Sequence, residues 1–316
     1  MIRVSSSHEY DVVIAGGGVA GLTAGLTSAR AGRKTRVLTG PSLGGHLVSI
    51  ERIDGYPGFP DGVPGYDLCP IIQEQAAGVG AEFDAAEATA LHGDDGRWRV
   101  TTGQGDVWAR AVVIATGTTL KTLGIPGEES LRGKGVSHCA SCDAPLLRGR
   151  IVGVVGGGDS ALQESLTLAQ HVARVIVLHR GNAFSAQAAY VQQVREHPKI
   201  EVRFGTIVEE AIGNGGLTGV RTRAVSDEKA GDLELAGLFV YVGLAPATTW
   251  LNGVLPLDAS GRIPVDFSMR SNLPGLFAVG TIRSGAAGRA AAAAGDGAIA
   301  AVSADQYVRD GNWMTL

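Results

Sequence analysis

Cysteine is scarce in this chain, and the positions of the few cysteines narrow its function. The 316 residues include three cysteines, and two of them stand in Cys139-Ala140-Ser141-Cys142. So few cysteines exclude a disulfide-stabilised scaffold and are typical of a protein from a reducing compartment. No second CxxC and no closely spaced histidine pair completes a tetrahedral zinc site. The pattern therefore favours a redox-active dithiol, with half of a zinc site as the alternative.

Long apolar runs and clusters of one charge are also missing. The formal net charge is −4 and no basic run is present, which argues against nucleic acid and anionic membranes as partners. No uninterrupted apolar stretch is long enough to span a bilayer. Residues 1–10 lack the apolar core of a secretory signal, so we expect a cytoplasmic protein. The chain length suits about two domains.

A short apolar strand followed by glycines opens the chain. Residues 10–15 read as a buried parallel strand, and the G-x-G-x-x-G at 16–21 leads into a helical pattern. Gly16 permits a tight turn, Gly18 lets the backbone approach a pyrophosphate, and Gly21 lets the helix pack closely on the strand. A glycine turn without a ligand is the alternative, but the strand–glycine–helix order favours a dinucleotide.

A second unit of the same kind lies in the other half of the chain. Residues 151–155 read as a strand, a G-x-G-x-x-A occupies 156–161, and a helix is predicted over 161–170. The strand after this helix ends in His179-Arg180. Two such units in one chain predict two dinucleotide sites in two doubly wound α/β domains.

Three other features read as packing rather than as sites. Cys69 falls among apolar residues of a predicted helix, Trp98 lies in a predicted meander, and the small residues 290–294 suit close helix packing. The remaining predicted elements are helices at 22–33, 66–77, 187–196 and 286–307, a β-meander at 81–108, a connecting segment at 123–135, and strands at 35–39, 111–117, 175–178, 200–204, 217–224, 233–242 and 276–280.

The order of these motifs resembles that of the low-molecular-weight thioredoxin reductases, which are FAD-dependent pyridine nucleotide–disulfide oxidoreductases. The resemblance covers almost the whole chain. Besides the two glycine motifs, it rests on Gly44-Gly45-His46-Leu47, Tyr56-Pro57-Gly58-Phe59-Pro60, Ala115-Thr116-Gly117, Cys139 to Asp143, Gly243 with Pro246, and Phe277 to Gly280.

The resemblance implies two Rossmann-like domains, the second inserted into the first. An FAD-binding domain would comprise 1–118 and 247–316, and a pyridine-nucleotide domain at 119–246 would carry the CxxC and rotate to present either nicotinamide or disulfide to the flavin. The implied flavin-binding residues are Gly16, Gly18, Gly21, Gly45, His46, Leu47, Ala115, Thr116, Gly117, Gly280, Thr281, Arg289 and Ala290. The implied pyridine-nucleotide residues are Gly156, Gly158, Asp159, Ser160, His179 and Arg180.

The resemblance also implies roles at the CxxC. Cys142 would face the flavin, Cys139 would attack an external disulfide, and Asp143 would act as the acid and base. The external partner would be a thioredoxin-like protein or a small-molecule disulfide, and the assembly a homodimer. His138 has two interpretations: its positive form lowers the pKa of Cys139, or it is an exposed linker residue.

The sequence departs from the family where the family contacts the NADPH 2′-phosphate. Of three arginines in the family pattern only Arg180 remains, because Gly181 and Ser185 stand at the other two positions. Each lost charge-assisted contact removes about 1.5–3 kcal/mol of binding. NADPH or NADH is therefore an expected but weakened reductant, since no acidic residue replaces the arginines to favour NADH.

Other departures concern the partner and the flavin. Ala144-Pro145-Leu146 replaces a glycine and two aromatic residues that help to dock thioredoxin. Thr281 replaces an aspartate at the flavin ribityl chain, His46 stands where glutamine is common, and Gly55 stands where asparagine is common.

Four functions follow as hypotheses. The first is an FAD enzyme that passes electrons from NAD(P)H through Cys139 and Cys142 to a disulfide. The second is an O₂-dependent dithiol oxidase that closes a disulfide in a small metabolite without NADPH. The third is a disulfide reductase that takes electrons from ferredoxin. A non-enzymatic flavin-binding or redox-sensing module is the fourth, and the complete dithiol and acid argue against it.

Overall fold

The computed structural model describes residues 9–313, which divide into two compact units. One unit comprises the described residues up to Thr119 together with those from Pro246 onward, and the other comprises Leu120–Ala245. Residues 1–8 and 314–316, at the ends of the first predicted domain, lie outside the described residues. Most of the stretch considered for a secretory signal lies there too.

The elements are numbered along the chain. The strands are β1 Glu9–Ala15, β2 Thr35–Leu38, β3 Glu82–Asp84, β4 Ala88–Asp94, β5 Arg97–Thr102, β6 Gly105–Ile114, β7 Thr118–Leu120, β8 Val136–Ser137, β9 Ile151–Val155, β10 Arg174–His179, β11 Ile200–Phe204, β12 Thr206–Gly213, β13 Leu217–Ala224, β14 Ala230–Glu234, β15 Gly237–Val240, β16 Leu244–Pro246 and β17 Leu276–Ala278. The α-helices are α1 Val19–Arg30, α2 Gly65–Gly78, α3 Ala140–Asp143, α4 Asp159–Ala169, α5 Ala188–Glu196 and α6 Ala290–Asp310. Within residues 9–313, no helix has both the length and the apolarity needed to cross a membrane.

The first unit is built on a seven-stranded sheet in the order β3-β2-β1-β6-β5-β4, with β17 also paired to β6. Strand β1 is central and parallel to both neighbours, since Val13 pairs with Arg36 on one side and Val112 on the other. Its apolar run at 12–15 is buried on both faces, as expected for a parallel strand covered by helices. Helices α1 and α6 pack closely, because a β-carbon added at Gly297 would lie 2.2 Å from the carbonyl oxygen of Ala20.

The second unit repeats this plan on a smaller scale. Its five-stranded sheet has the order β11-β10-β9-β15-β8, and every pair in it is parallel. Val154 of β9 pairs with Val177 on one side and Phe239 on the other, and all three are fully buried. A separate antiparallel sheet, β12-β13-β14, completes the unit. The doubly wound pattern predicted from the two glycine motifs is thus present in both units.

The predicted strand at 233–242 is wrong as a single element. The structure has two strands there, β14 and β15, separated by Leu235-Ala236. Strand β14 pairs antiparallel with β13, whereas β15 enters the parallel sheet beside β9. A β-carbon added at Gly237 would lie 2.7 Å from the side chain of Leu147, so a glycine allows the chain to enter this tightly packed core.

The predicted meander at 81–108 also needs correction. Only β4, β5 and β6 are antiparallel neighbours, whereas β3 pairs parallel with β2. Strand β6 runs without a break into the segment predicted as a separate strand at 111–117. The prediction for Trp98 is confirmed: its side chain packs against the core, and its Nε1 donates to the carbonyl oxygen of Pro274 at 2.9 Å.

Two more differences come from local chemistry. Helix α6 begins at Ala290 rather than near 286, because Gly285 and Gly288 have φ angles of +67° and +66°. No prediction covers β12, whose sequence has no apolar–polar alternation because Glu209 and Glu210 stand side by side. Its Glu210 accepts from Arg221 of β13 at 2.7 Å, and this cross-strand ion pair stabilises the pairing of β12 with β13.

A buried carboxylate holds the start of the second unit. Glu128 is 3% exposed, and its two oxygens accept the backbone amides of Leu123 and Gly124 at 2.9 and 2.7 Å. Leu123 is half-buried and Gly124 is exposed, so the bonds chiefly serve the buried carboxylate, whose oxygens gain partners that water does not supply there.

We expect Glu128→Gln to destabilise the protein by about 1–3 kcal/mol, because the amide nitrogen cannot accept and one of the two backbone N–H groups loses its bond to a buried acceptor. Glu129→Gln is the matched control: its exposed pair with Arg132 contributes about 0.5 kcal/mol or less. Urea unfolding followed by circular dichroism measures both. Equal unfolding free energies for the two variants would contradict this role of Glu128.

Candidate functional site

The first glycine loop combines two tightly packed glycines with one that faces open space. A β-carbon added at Gly16, where φ is +123°, would lie 2.2 Å from the carbonyl oxygen of Ala115. One added at Gly21 would lie 1.9 Å from the carbonyl oxygen of Gly16. One added at Gly18 would meet no atom within 4 Å. Packing therefore explains Gly16 and Gly21, whereas Gly18 leaves room for a group from outside the protein backbone.

The N-terminus of α1 is prepared for an anion. Its N-cap is Gly18, no side chain caps it, and its first turn has no acidic residue. The first amides of a helix have no partner within the helix, and the helix dipole places partial positive charge there. A pyrophosphate at this loop would satisfy both conditions.

Several loops that the resemblance assigns to a flavin approach this helix end. A β-carbon added at Gly45 would lie 3.6 Å from the Cα atom of Gly18, and one added at Gly280 would lie 3.1 Å from the β-carbon of Ala20. A β-carbon added at Gly117 would lie 3.5 Å from the hydroxyl of Thr281. Residues far apart in sequence thus form one cradle around the N-terminus of α1.

Hydroxyl groups line one side of this cradle. The Oγ1 atoms of Thr281 and Thr118 lie 3.3 Å apart, and Arg262 Nε donates to the carbonyl oxygen of Thr281 at 3.2 Å. Where the family has a carboxylate, this chain therefore offers a neutral hydroxyl that can donate to or accept from a ligand hydroxyl.

Thr116 holds the 115–117 loop rather than facing the cradle freely. Its Oγ1 donates to the carbonyl oxygen of Ala247 at 3.0 Å and accepts from Trp250 Nε1 at 3.3 Å. The amide of Ala247 donates in turn to the carbonyl oxygen of Gly117 at 3.0 Å. Trp250 is a functional neighbour that the sequence did not reveal, because it joins the loop from a distant segment.

A buried ion pair holds the turn at Gly280. The Asp296 carboxylate accepts the Gly280 amide at 3.0 Å, and Arg283 donates to both of its oxygens at 2.7 and 2.8 Å. The side chains of Asp296 and Arg283 are 8% and 16% exposed. This bidentate pair fixes the turn that carries Thr281.

The other predicted flavin residues occupy varied environments. His46 is half-buried in the loop beside Gly45, and burial lowers the pKa of its imidazole, which keeps it neutral near pH 7. Leu47 and Ala290 pack against the apolar cluster around Leu22. Exposed Arg289 is the N-cap of α6; buried Ala115 supplies the carbonyl oxygen beside Gly16.

The second glycine loop has the same shape but a different charge. A β-carbon added at Gly156, where φ is +147°, would lie 2.4 Å from the carbonyl oxygen of Tyr241. One added at Gly158 would meet only the hydroxyl of Ser185, at 3.8 Å. Asp159 stands in the first turn of α4, and its carboxylate accepts the Gln187 amide at 2.7 Å. An anion bound at this loop would lie near the Asp159 carboxylate, whereas the first turn of α1 has no acidic residue.

His179 shapes this second loop. A β-carbon added at Gly157 would lie 2.4–2.8 Å from its ring, whose Nε2 lies 3.0 Å from the carbonyl oxygen of Ala183. The ring also contacts Phe184, with centroids 5.8 Å apart. Arg180 is exposed, and Ser160 is half-buried in the first turn of α4. The structure thus brings the predicted nucleotide residues together at the carboxyl ends of the neighbouring strands β9 and β10.

Cys139 and Cys142 are joined by a disulfide. Cys139 is the N-cap of α3, and its Sγ accepts the Cys142 amide at 3.3 Å and lies 3.5 Å from Ser141 Oγ. Cys142 is exposed, while Cys139 and Asp143 are half-buried. Two donors close to the Cys139 sulfur would stabilise negative charge there after reduction.

Two further predictions, for His138 and Cys69, can be compared with the structure. His138 is half-buried, and its Nδ1 lies 2.9 Å from the carbonyl oxygen of Val240, so its ring is fixed to the strand rather than exposed in a linker. Cys69 is fully buried and outside any disulfide, its Sγ donates to the carbonyl oxygen of Gly44 at 3.9 Å, and burial raises the pKa of its thiol to about 11. Its interpretation as a buried apolar residue is confirmed.

We expect Asp296→Asn to cost about 3 kcal/mol or more of unfolding free energy, because Arg283 would keep a buried charge without its carboxylate. Asp305→Asn, which loses a more exposed pair with Arg33, is the control and should cost about 1 kcal/mol or less. Chemical denaturation of both variants tests this. Equal losses would show that the Asp296 pair contributes no more than a surface pair.

Comparison with known proteins identifies the family of this chain. The family model for pyridine nucleotide-disulphide oxidoreductases matches residues 10–297. The thioredoxin reductase of Treponema pallidum is 35% identical over 95% of this chain and 97% of its own, and that of Listeria monocytogenes is 36% identical over 97% and 96%.

Solved structures agree with the sequence comparison. The Lactococcus lactis thioredoxin reductase has a TM-score of 0.93 at 33% identity, covering 95% of this chain and 99% of its own. The T. acidophilum thioredoxin reductase has a TM-score of 0.91 at 32% identity, covering 95% of this chain and 99% of its own. These matches confirm the predicted fold class of two Rossmann-like domains. The chain therefore belongs to the pyridine nucleotide-disulphide oxidoreductase family and is a thioredoxin reductase-like flavoprotein disulfide oxidoreductase.

Proposed function

We propose that the enzyme passes electrons from a reduced pyridine nucleotide, through FAD, to the Cys139–Cys142 disulfide and on to a thioredoxin-like protein or a small-molecule disulfide. One observation carries this proposal. The chain has two glycine cradles, each with one glycine that faces open space, and a disulfide-bonded CxxC in the unit that holds the second cradle. A reductant site, a flavin site and an exchangeable disulfide are the parts that such a reaction needs.

The first cradle suits FAD. The helix end at Gly18 has free amides and no acidic residue in its first turn, which favours a pyrophosphate. The hydroxyls of Thr118 and Thr281 suit a polyhydroxyl chain, and the Arg283–Asp296 pair keeps that wall in place. FAD bound there supplies two-electron transfer between a nucleotide and a disulfide.

The second cradle suits a pyridine nucleotide, with weak preference for a 2′-phosphate. Gly158 leaves room for the pyrophosphate, and Arg180 follows β10, where an arginine accommodates the 2′-phosphate in such folds. Gly181 and Ser185 add no positive charge. We therefore propose that NADPH binds more weakly here than at a site that has three arginines, and that NADH, which has no 2′-phosphate, gains no acidic partner in exchange.

At the disulfide, the contacts of the sulfurs support distinct roles. The amide of Cys142 and the hydroxyl of Ser141 would stabilise a thiolate at Cys139, the form that attacks an external disulfide. Asp143 follows directly and is partly accessible to solvent, so it can exchange protons with the thiols. We propose Cys139 as the attacking thiol, Cys142 as the thiol that faces the flavin, and Asp143 as the acid and base.

Two classes of partner fit the proposed reaction. Relatives named thioredoxin reductase support a thioredoxin-like protein. The segment after the CxxC supplies one exposed apolar contact, Leu146, which is 82% exposed, and no aromatic residue. A small apolar dithiol or disulfide would also fit such a surface. The homodimer stays a prediction.

One observation favours a second candidate, an O₂-dependent dithiol oxidase. The end of β10 keeps one cation, Arg180, where a 2′-phosphate would be bound. A dithiol oxidase takes its electrons from a small dithiol and gives them to O₂, so it needs no such cluster. A ferredoxin donor is the third possibility; the ferredoxin-flavin thioredoxin reductase of Clostridium acetobutylicum is 25% identical with a TM-score of 0.52.

Anaerobic mixing of the purified enzyme with NADPH or NADH tests the proposal. We expect either nucleotide to bleach the flavin absorbance, and Cys142→Ser to keep FAD while losing disulfide turnover. Bleaching by a small dithiol but by neither nucleotide, with colour restored by O₂, would establish the oxidase instead. Bleaching only by reduced ferredoxin would establish the third donor.

Alanine at the two open glycines separates the two cradles. Gly18 and Gly158 have φ angles of −74° and −95°, so alanine fits both backbones without strain. We expect Gly18→Ala to lose FAD on gel filtration, because its methyl group occupies the approach of the pyrophosphate. Gly158→Ala should keep FAD but raise the nucleotide concentration needed for half-maximal bleaching about tenfold or more. Full retention of FAD by Gly18→Ala would place the flavin elsewhere.

A further inference from the structure

A buried tyrosine, Tyr241, follows the strand that is paired with the strand leading into the redox disulfide. Strands β8 and β15 are parallel neighbours in which Ser137 pairs with Phe239. Two residues further, this register places Cys139 opposite Tyr241. The contact between His138 Nδ1 and the carbonyl oxygen of Val240 continues the alignment beyond the last ladder pair. Tyr241 is therefore fixed against the start of the CxxC turn by the sheet itself.

The hydroxyl of Tyr241 makes no hydrogen bond to the described residues while the disulfide is closed. Tyr241 is 7% exposed, and its oxygen is buried without a hydrogen-bond partner among the described residues. The Ala140 backbone amide faces it without reaching hydrogen-bonding geometry. Buried hydroxyls without partners are rare because they cost free energy, so an unused one calls for a reason.

Two acidic residues, one on α4 and one on α3, lie near this hydroxyl. Glu164 of α4 is 7% exposed, and Asp143 ends α3. Their negative charges add to burial in raising the pKa of the Tyr241 phenol above its ordinary value, while the Ala140 amide opposes them. His138, which follows β8, is a further titratable residue of this region, since its Nδ1 contacts the carbonyl oxygen of Val240. The phenol thus stays protonated at neutral pH and keeps a hydrogen to donate.

We propose that Tyr241 and Glu164 tune the Cys139–Cys142 couple from its buried side: the Tyr241 hydroxyl favours the reduced pair, and the Glu164 carboxylate disfavours its ionisation. The proposal rests on the proposed function in that it assumes the couple is the working disulfide. When the S–S bond opens, it no longer constrains the CxxC turn. A cysteine sulfur and the Ala140 amide can then move into hydrogen-bonding distance of the Tyr241 hydroxyl. A thiolate at the turn is repelled by the buried carboxylate. Both residues act as positioning residues, through the cysteines.

The first test is equilibrium with glutathione. Two glutathione thiols become one glutathione disulfide as the Cys139–Cys142 bond breaks and both sulfurs gain hydrogen, so atoms and electrons balance. Full-length protein is equilibrated without O₂, its free thiols are alkylated, and the Cys139 and Cys142 peptides are quantified by mass spectrometry. We expect Tyr241→Phe to shift the equilibrium about three- to tenfold towards the disulfide. Tyr190→Phe, at a buried tyrosine of the same apolar cluster on α5, should shift it less than about twofold.

The second test is the pH dependence of iodoacetamide alkylation of the reduced protein. We expect Glu164→Gln to lower the pH of half-maximal rate by about one unit, because a neutral amide no longer repels the thiolate. Tyr241→Phe should move it upward or leave it in place. A merely structural role would not lower the midpoint in Glu164→Gln while leaving it unlowered in Tyr241→Phe. If Tyr241→Phe fails to fold, judged by thermal unfolding, the Glu164→Gln measurement decides.

Two results would overturn the proposal: a Tyr241→Phe equilibrium equal to that of Tyr190→Phe, or a Glu164→Gln midpoint that does not fall. Neither measurement uses a nucleotide or O₂, so both remain valid if nucleotides fail to bleach the flavin. Conversely, a wild-type Cys139–Cys142 bond that resists excess dithiothreitol would contradict the proposed function itself, in addition to the roles of Tyr241 and Glu164.

Discussion

The structure depends on the close approach of a helix and a strand at the first glycine loop. A β-carbon at Gly21 would lie 1.9 Å from the carbonyl oxygen of Gly16, and one at Gly16 would lie 2.2 Å from that of Ala115. These contacts fix α1 against the sheet so that its uncapped N-terminus faces the loops at 44–47, 115–117 and 280–282. The same packing that stabilises the unit therefore prepares the anion site, and a side chain at either glycine would destroy both.

The second unit uses the same device with different electrostatics. Gly156 packs against the carbonyl oxygen of Tyr241 as Gly16 packs against Ala115, but α4 carries Asp159 in its first turn and α1 has no acidic residue there. The shared backbone geometry suits two dinucleotides, and the charges make the two sites unequal. Function in this family of folds lies in such side chains rather than in the fold. Because β15 and β8 are parallel neighbours, the same sheet also aligns Tyr241 with the CxxC.

Much of the fold could be predicted because its signals are local. The two strand–glycine–helix units, the buried Cys69 and the packing of Trp98 follow from short patterns, and the structure agrees with them. The prediction failed where tertiary pairing decides, as at 233–242, where one apolar run is divided between two sheets. The start of α6 depends on backbone angles of Gly285 and Gly288 that no apolar pattern reveals.

The candidate site divides in the same way. The glycines and the CxxC carry signals of their own, whereas the loops at 44–47, 115–117 and 280–281 were indicated only by resemblance to a family. The supports of the site, Asp296 with Arg283, Trp250 with Thr116, and Glu164 with Tyr241, join residues from separate segments. No spacing rule connects such residues before the chain is folded, so sequence reasoning missed all three.

Anaerobic reductive titration with dithionite, followed by flavin absorbance and by thiol counting, tests the central claim most directly. If a bound flavin and the Cys139–Cys142 couple share electrons, the wild-type chain will take up about four electrons, two for each centre, and a Cys139→Ser, Cys142→Ser double variant about two. Uptake of about two electrons by the wild type, with the disulfide still intact when the flavin is fully reduced, would contradict the account.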